Sequence, residues 1–459
     1  MINRRTLTKS LGAAIALSAT SGVTAAAEPD QRRGRYLIRG GAVVTVDQTL
    51  GVLPRADVLV DNGKIEAVGR DLNARGAKIV DATDMIVMPG FVNTHHHMWS
   101  ALGRNFVADG FPYFAAKRAT STLYDAKDVY RSVLLGLAEL ANAGVTTVHN
   151  WSNNTRSPAH ADAELRAHRD GLLRARFSYG HVDQMPRDVP MDLTDVDRVR
   201  QQYFAGGTAF DGLVHLGINL RGLSQSAEPA FVADMEAALQ RGLPVAIHAG
   251  QAPPRIVDAA DYERRGWLGP KTLLCHYMTA LDSDMEILAR TGTPLSWSPH
   301  SEFRLGVGDK QDTLLRFRRA GVLVSLSSDA TSIAPSDMFE TMRLVPEAGF
   351  QGALAMATIN GAHALGLGAL TGSITPGKRA DLILVRTNDI NLAPGGLFET
   401  TLVQAATPAN VDTVFSDGRI IKRGGRLAGF DVDRIVRDAK TSSLRIRTAA
   451  GGILTPPAN

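Results

Sequence analysis

Between residues 86 and 369 the chain alternates short apolar runs with longer stretches of helical period. Eight runs read as strands, over 86–93, 145–149, 176–179, 214–220, 245–248, 272–276, 295–298 and 323–328. Helical patterns lie between or after them, at 128–143, 161–173, 229–241, 283–291 and 311–320. Buried strands alternating with helices indicate βα units and a parallel sheet. Eight such units fill roughly the 250 residues typical of a closed (β/α)8 barrel, a TIM-like α/β fold. An open doubly wound sheet is the alternative with the same local pattern.

The flanks have a different texture. Residues 36–88 hold short apolar runs broken by Gly40-Gly41 and by Asp61-Asn62-Gly63, both hairpin signals. The same pattern returns at 380–385, 411–415 and 420–421, with Ser416-Asp417-Gly418 as a turn. Neither flank carries enough apolar surface to stand alone, so the two are expected to pair. The expected organisation is a barrel over 86–369 and a small β-sandwich domain from 28–85 and 370–432. Residues 433–459 are left as a tail.

Residues 1–27 read as an address. A basic start with Arg4, Arg5 and Lys9 precedes a small apolar run, and Ala25-Ala26-Ala27 offers a cleavage site. The run is too short to span a membrane. The arginine pair followed by Leu7 resembles a twin-arginine export signal, although Thr8 departs from the usual apolar residue; an ordinary secretory signal is the alternative. The mature protein is therefore expected to be periplasmic or secreted, with no membrane span. The formal charge of +4 owes three units to this leader, and the remainder is nearly neutral. With no basic strip interleaved with aromatics elsewhere, a nucleic-acid partner is not expected. A small-molecule substrate and a homo-oligomer are.

A single cysteine, Cys275, excludes an internal disulfide and any cysteine-based metal site. Twelve histidines, by contrast, all fall between His95 and His363. Barrel enzymes carry their chemistry at the C-terminal ends of strands. His95 and His97 follow the first strand, on one face by alternation, with His96 on the other. His248 ends the fifth strand, His276 the sixth, and Asp329 follows the eighth. Three histidines and one carboxylate on one rim suit Zn²⁺ or Fe²⁺. His149 and His181, at the ends of the second and third strands, could face the same pocket. Cys275 should point away from it by alternation.

The run Pro89-Gly90-Phe91-Val92-Asn93-Thr94-His95-His96-His97, the later His248, His276 and Asp329, and Ser336-Asp337-Met338-Phe339-Glu340 resemble the amidohydrolase superfamily. The segments from Thr358 to Gly366 and from Gly372 to Leu382 match it as well. The nearest branch is the cytosine deaminase/chlorohydrolase-like group with a single metal. The resemblance implies that His95, His97, His248 and Asp329 hold one divalent ion, zinc foremost and iron second. It implies that His276 sits beside the activated water and the substrate, and that Asp329 moves the proton. The fourth strand ends in Asn219-Leu220-Arg221, without the bridging lysine of two-metal relatives, which favours one ion.

Two positions depart from that branch. Its deaminases carry a glutamate proton shuttle three residues after the strand-five histidine, where this chain has Gln251. An amide hydrogen-bonds but does not exchange a proton near neutral pH. After strand seven the chain reads Pro299-His300-Ser301-Glu302, so Glu302 is expected to contact substrate or replace the shuttle, with His300 nearby. The loop after strand one holds Trp99, Phe106, Phe111, Tyr113, Phe114 and Tyr124, an expected lid or packing surface. Gln251, His300, His149, His181 and Trp99 are thus the candidate substrate contacts; Asp329, His276 and Glu302 are the candidate catalytic groups. The expected activity is metal-dependent hydrolysis of a C–N bond in a small cyclic or aromatic amide, urea, carbamate or amidine. Heterocycle deamination or dehalogenation is the alternative, and a non-catalytic binding protein the reading from another class.

Overall fold

The computed structural model describes residues 32–207, 209–250, 256–306 and 310–451. The leader segment 1–27 and Gln251 lie outside the described residues. A nine-stranded sheet is built from β1 (Tyr36–Val44), β2 (Val52–Asp61), β3 (Lys64–Gly69), β4 (Lys78–Asp81) and β5 (Met85–Pro89) with four strands from the far end of the chain. The far-end strands are β14 (Leu382–Arg386), β15 (Val411–Ser416), β16 (Arg419–Arg423) and β17 (Arg426–Leu427), and β5 pairs antiparallel with β14.

Gly40-Gly41 is a bulge within β1 rather than a turn. Residues Tyr36–Arg39 pair with β4, and Ala42 and Val43 pair with β5. The left-handed backbone at Gly40 (φ +77°) lets one strand hand its edge from one neighbour to another. The sheet encloses its own core, with Val43, Val58, Leu382 and Phe415 fully buried.

The second sheet holds eight parallel strands in sequential order. They are β6 (Phe91–His96), β7 (Val145–Ser152), β8 (Arg174–Tyr179), β9 (Val214–Leu220), β10 (Val245–His248), β11 (Thr272–Cys275), β12 (Leu295–Trp297) and β13 (Val324–Leu326). The expected first strand over 86–93 is in fact two. It breaks at Pro89-Gly90, where a side chain at 90 would lie 2.2 Å from Thr146, so β5 belongs to one sheet and β6 to the other.

Backbone beyond β13 closes the barrel. His97 N–H donates to the Asp329 carbonyl (2.7 Å) and Asp329 N–H to the His95 carbonyl (3.0 Å). Asn93 seals the seam by donating to Ser328 Oγ (2.6 Å). This closure brings the last strand's carboxylate beside the first strand's histidines.

The helices that matter here are α1 (Tyr113–Ser121), α2 (Ala126–Asn142), α3 (Pro158–Gly171), α4 (Leu193–Phe204), α5 (Glu228–Gln240), α6 (Ala259–Arg264), α7 (Asp282–Thr291), α8 (Pro299–Leu305) and α9 (Lys310–Arg319). Helix α2 starts at a reciprocal cap, Asp125 with Asp128, which satisfies two orphan N–H groups. The stretch left as a tail contains an 18-residue helix, Val432–Ala449. It docks on α2 through Arg131–Asp438, and Arg447 lies over the Phe106 ring at 4.6 Å. Among the described residues no helix is long and apolar enough to cross a membrane.

Candidate metal centre and catalytic cavity

Four donor atoms converge at the C-terminal rim of the barrel. His95 Nε2 lies 3.3 Å from His248 Nε2 and 3.5 Å from Asp329 Oδ1, and His97 Nε2 lies 3.4 Å from the same oxygen. Edges of this length are those of a tetrahedron whose corners sit roughly 2.0–2.1 Å from a central Zn²⁺. Burial drives the pKa of His95 and His248 well below the ordinary imidazole value and that of His97 to about 4. Neutral imidazoles are the form that coordinates a cation. Two overlapping donor groups, His95 with His97 and Asp329 and His95 with His248 and His276, could hold a divalent ion here.

The surroundings orient these donors. Asn153 Oδ1 accepts from His97 Nδ1 (2.9 Å) and from Trp99 Nε1 (2.5 Å). The His97 proton is thereby fixed on Nδ1, leaving Nε2 to face the centre. Ser301 Oγ donates to Asp329 Oδ2 at 2.8 Å, which leaves Oδ1 toward the histidines. The Trp151 ring underlies the site, 4.1 Å from the His248 ring and 4.7 Å from the His95 ring. Two key residues adopt left-handed backbone, Asp329 (φ +60°) and His276 (φ +71°). Such conformations cost about 1–3 kcal/mol and cluster at functional sites.

His276 completes the ring of side chains, its imidazole stacked 5.5 Å from that of His248. Its Nδ1 pairs with Glu302 Oε1 (2.8 Å), while Trp297 Nε1 donates to Glu302 Oε2 (2.5 Å). Burial opposes charging of His276, but the hydrogen bond to Glu302 and the charge of Asp329 outweigh it. Its pKa lies above the ordinary imidazole value.

The cavity above the donors is lined by His97, His248, His276 and Asp329 on its floor. Its walls include Tyr113, Lys117, Asn153, Gln225 and Leu305. Several expected contacts lie elsewhere. Glu302 is a fully buried residue of α8, not a loop carboxylate; it meets His276 and Trp297 and does not line the cavity. His149 is sealed inside the barrel, bonded to the Thr94 carbonyl and to Ser178 Oγ, both at 2.8 Å. Trp99 is consumed by Asn153. His300, on α8, faces Glu340 at 3.7 Å, and His181 is buried; neither lines the cavity. Of the strand-one aromatics, Tyr113 and Phe114 line it, while Trp99, Phe106 and Tyr124 are buried in packing.

Cys275 shares one apolar cluster with Trp151, so it faces the site's underside rather than away from it. The left-handed turn at His276 ends the alternation on which the opposite expectation rests. Asn153, Ser301 and Lys117 were missed by sequence reasoning. The first was accessible, since His149 and Trp151 alternate along β7 and Asn153 continues the same two-residue step just past its end; nothing in the sequence marks the other two.

The amidohydrolase family model matches residues 86–421. The 5-methylthioadenosine/S-adenosylhomocysteine deaminase of Acetivibrio thermocellus is 26% identical over 89% of this chain and 99% of its own length. The corresponding protein of Desulforudis audaxviator is 28% identical over 90% and 99%. Among solved structures, a zinc-bound adenosine deaminase from Xanthomonas campestris superposes with a TM-score of 0.78 at 23% identity, covering 90% of this chain and 98% of that one. An atrazine chlorohydrolase from Arthrobacter aurescens, complexed with zinc, gives 0.74 at 20% identity, with 89% and 100% covered. The chain belongs to the amidohydrolase family, metal-dependent hydrolases acting on carbon–nitrogen bonds.

Proposed function

We propose that this chain is a hydrolase with a single Zn²⁺ that cleaves a C–N bond in a small cyclic or aromatic amide, urea, carbamate or amidine. The observation that carries the reading is a pair of donor groups sharing His95, one with His97 and Asp329 and one with His248 and His276, at the floor of a single cavity. A divalent ion bound by these residues would supply an acidified water as nucleophile near neutral pH. Asp329, anchored by Ser301, is the carboxylate that would take the proton from water and return it to the leaving nitrogen. His276, held by Glu302, donates a hydrogen bond to the substrate oxygen or ring nitrogen as negative charge grows.

Deamination of a heterocycle is the second reading, supported by relatives of similar length named as adenosine-type deaminases. Gln251 argues against the usual proton shuttle in that reaction. One screen separates them: metal-reconstituted protein is offered a panel of cyclic amides, ureas and aminoheterocycles, with ammonia, amine and carboxylate scored separately. Carboxylate or amine release supports amide-type hydrolysis; ammonia from aminoheterocycles alone replaces it with deamination. Inertness of fully loaded protein across the panel overturns both. We further propose export of the chain by its arginine-pair leader, for which cell fractionation with Arg4 and Arg5 replaced by lysine is the test.

A further inference from the structure

Helix α1 lies along the cavity, and Lys117 is the only lysine or arginine lining it among the described residues. Its ammonium is held by Asp183 Oδ1 at 2.8 Å, with the two side chains only 11% and 7% exposed. Asp183 binds through that oxygen alone, for its Oδ2 is buried without a partner. An ammonium carries three N–H donors, so this pairing leaves two for other acceptors.

The helix carrying it is fixed in place. Gln184 Nε2 donates to the Arg118 carbonyl (2.9 Å) and to Ser121 Oγ (2.7 Å), and Asn154 Nδ2 donates to the Ser121 carbonyl (2.9 Å). The ammonium is therefore pre-positioned rather than dangling, which lowers the entropy lost when a ligand meets it. The same cavity is lined by the apolar faces of Tyr113, Phe114, Ile256 and Leu305 together with the polar Asn153, Ser224 and Gln225. A low-dielectric wall strengthens a charge-assisted hydrogen bond to an anionic oxygen.

We propose that Lys117 forms an anion subsite in the substrate cavity, so that the substrate is an aromatic or cyclic molecule bearing a carboxylate away from the bond that is cleaved. This rests on the hydrolase reading above and adds the charge of the substrate to it. Asp183 and Gln184 are positioning residues for the subsite. A carboxylate fits the available donors better than a neutral carbonyl because it accepts several charge-assisted bonds at once.

The test is equilibrium binding to the zinc-loaded full chain, by titration calorimetry, of N-benzoylglycine and its neutral carboxamide, N-benzoylglycinamide. Native protein is expected to prefer the carboxylate by about tenfold or more, the range of one charge-assisted bond. Lys117→Met is expected to bring the two ligands within about twofold, and Lys117→Arg to restore the preference. Melting temperature and zinc content of each variant establish that it is folded and loaded. Equal binding of both ligands by native protein, a preference that survives Lys117→Met, or failure of native protein to bind the carboxylate at millimolar concentration overturns the proposal. Because the readout is binding, a zinc-loaded but inactive protein still tests the subsite. An active enzyme without the preference sinks the subsite and leaves the hydrolase reading standing.

Discussion

Asn153 shows how much one uncharged side chain can decide. Its Oδ1 is shared by His97 and Trp99, so the tautomer of a proposed metal donor depends on it. Replacing Asn153 with leucine should weaken zinc affinity roughly 10–100-fold, the usual effect of losing such an orienting partner. Competition with a chelator of known affinity measures this, and unchanged affinity in a folded variant would show that His97 needs no support. A second residue acts far from the donors. Glu164 on α3 is wholly buried, accepting from Ser152 Oγ (2.6 Å) and Asn150 Nδ2 (2.8 Å), and no cation pairs with it among the described residues. Burial raises its pKa to about 7. The folded state therefore holds a proton that the unfolded chain releases near the ordinary glutamate value. Its contribution to stability is fully present below about pH 4.5, falls as pH rises toward 7, and is flat above. The difference across that window is about 3 kcal/mol. Glu164→Gln cannot titrate, so its melting temperature relative to native protein should climb between pH 5 and pH 8. An equal offset at both values would mean that the carboxyl is not protonated in the fold.

At the scale of elements, the joint between the two sheets is the sharpest case. A Cβ at Gly90 would meet Thr146 Cγ2 and Oγ1 at 2.2 Å. Gly90→Ala should cost about 1–3 kcal/mol, as overpacking does. A chemical-denaturation cycle with Thr146→Gly should recover part of that loss, whereas simple additivity would place the strain elsewhere. The same joint shows what a sequence discloses. Strand identity follows from apolar runs, and β9 and β10 have the expected bounds because Gly or Pro punctuation flanks them. The run 86–93 reads as one strand because it is apolar as far as Asn93, yet Pro89-Gly90 is the same punctuation inside it, and the division between two sheets falls there, where Gly90 packs against Thr146. Alternation groups His95 with His97 because His95 lies on β6 and His97 directly follows its end. It misleads at Cys275, because the next residue leaves extended backbone. Glu302 looked like a rim carboxylate because a seven-residue helix opening at Pro299 carries too little periodicity to be recognised. Only in three dimensions does that helix turn Glu302 onto His276. Lys117 carries no local signal at all, since its partner Asp183 belongs to another loop.

Across the whole molecule, barrel and flanking sheet are joined by charge as well as by apolar packing. Arg174 on β8 is 1% exposed and donates through Nε to Asp381 Oδ2 (2.8 Å) and through Nη2 to Asp417 Oδ1 (3.0 Å). Asp417 is also met by Arg33, Arg379 and Arg419. Burial raises the pKa of Asp417, but the arginines, Arg379 foremost, outweigh it and hold it below the ordinary carboxylate value. A depressed carboxylate contributes stability above its unfolded pKa and loses it as pH falls through the folded one. Acid should therefore loosen this seam below about pH 4, the ordinary aspartate range. Arg174→Met keeps the volume and removes the charge, leaving Asp381 without its guanidinium and Asp417 with one fewer. Breaking a buried pair from one side costs about 3–5 kcal/mol, so a large fall in melting temperature is expected at pH 7. The loss should shrink at pH 3–4, where the stranded carboxylates take up protons and need no partner. The seam lies on the strand of Arg174, at the end opposite the metal donors, so zinc affinity of the folded variant should match that of native protein. A variant as stable as native at pH 7 would mean that the sheet is held to the barrel by apolar contact alone. A variant that lost zinc while folded would mean that the seam and the metal centre are coupled along β8.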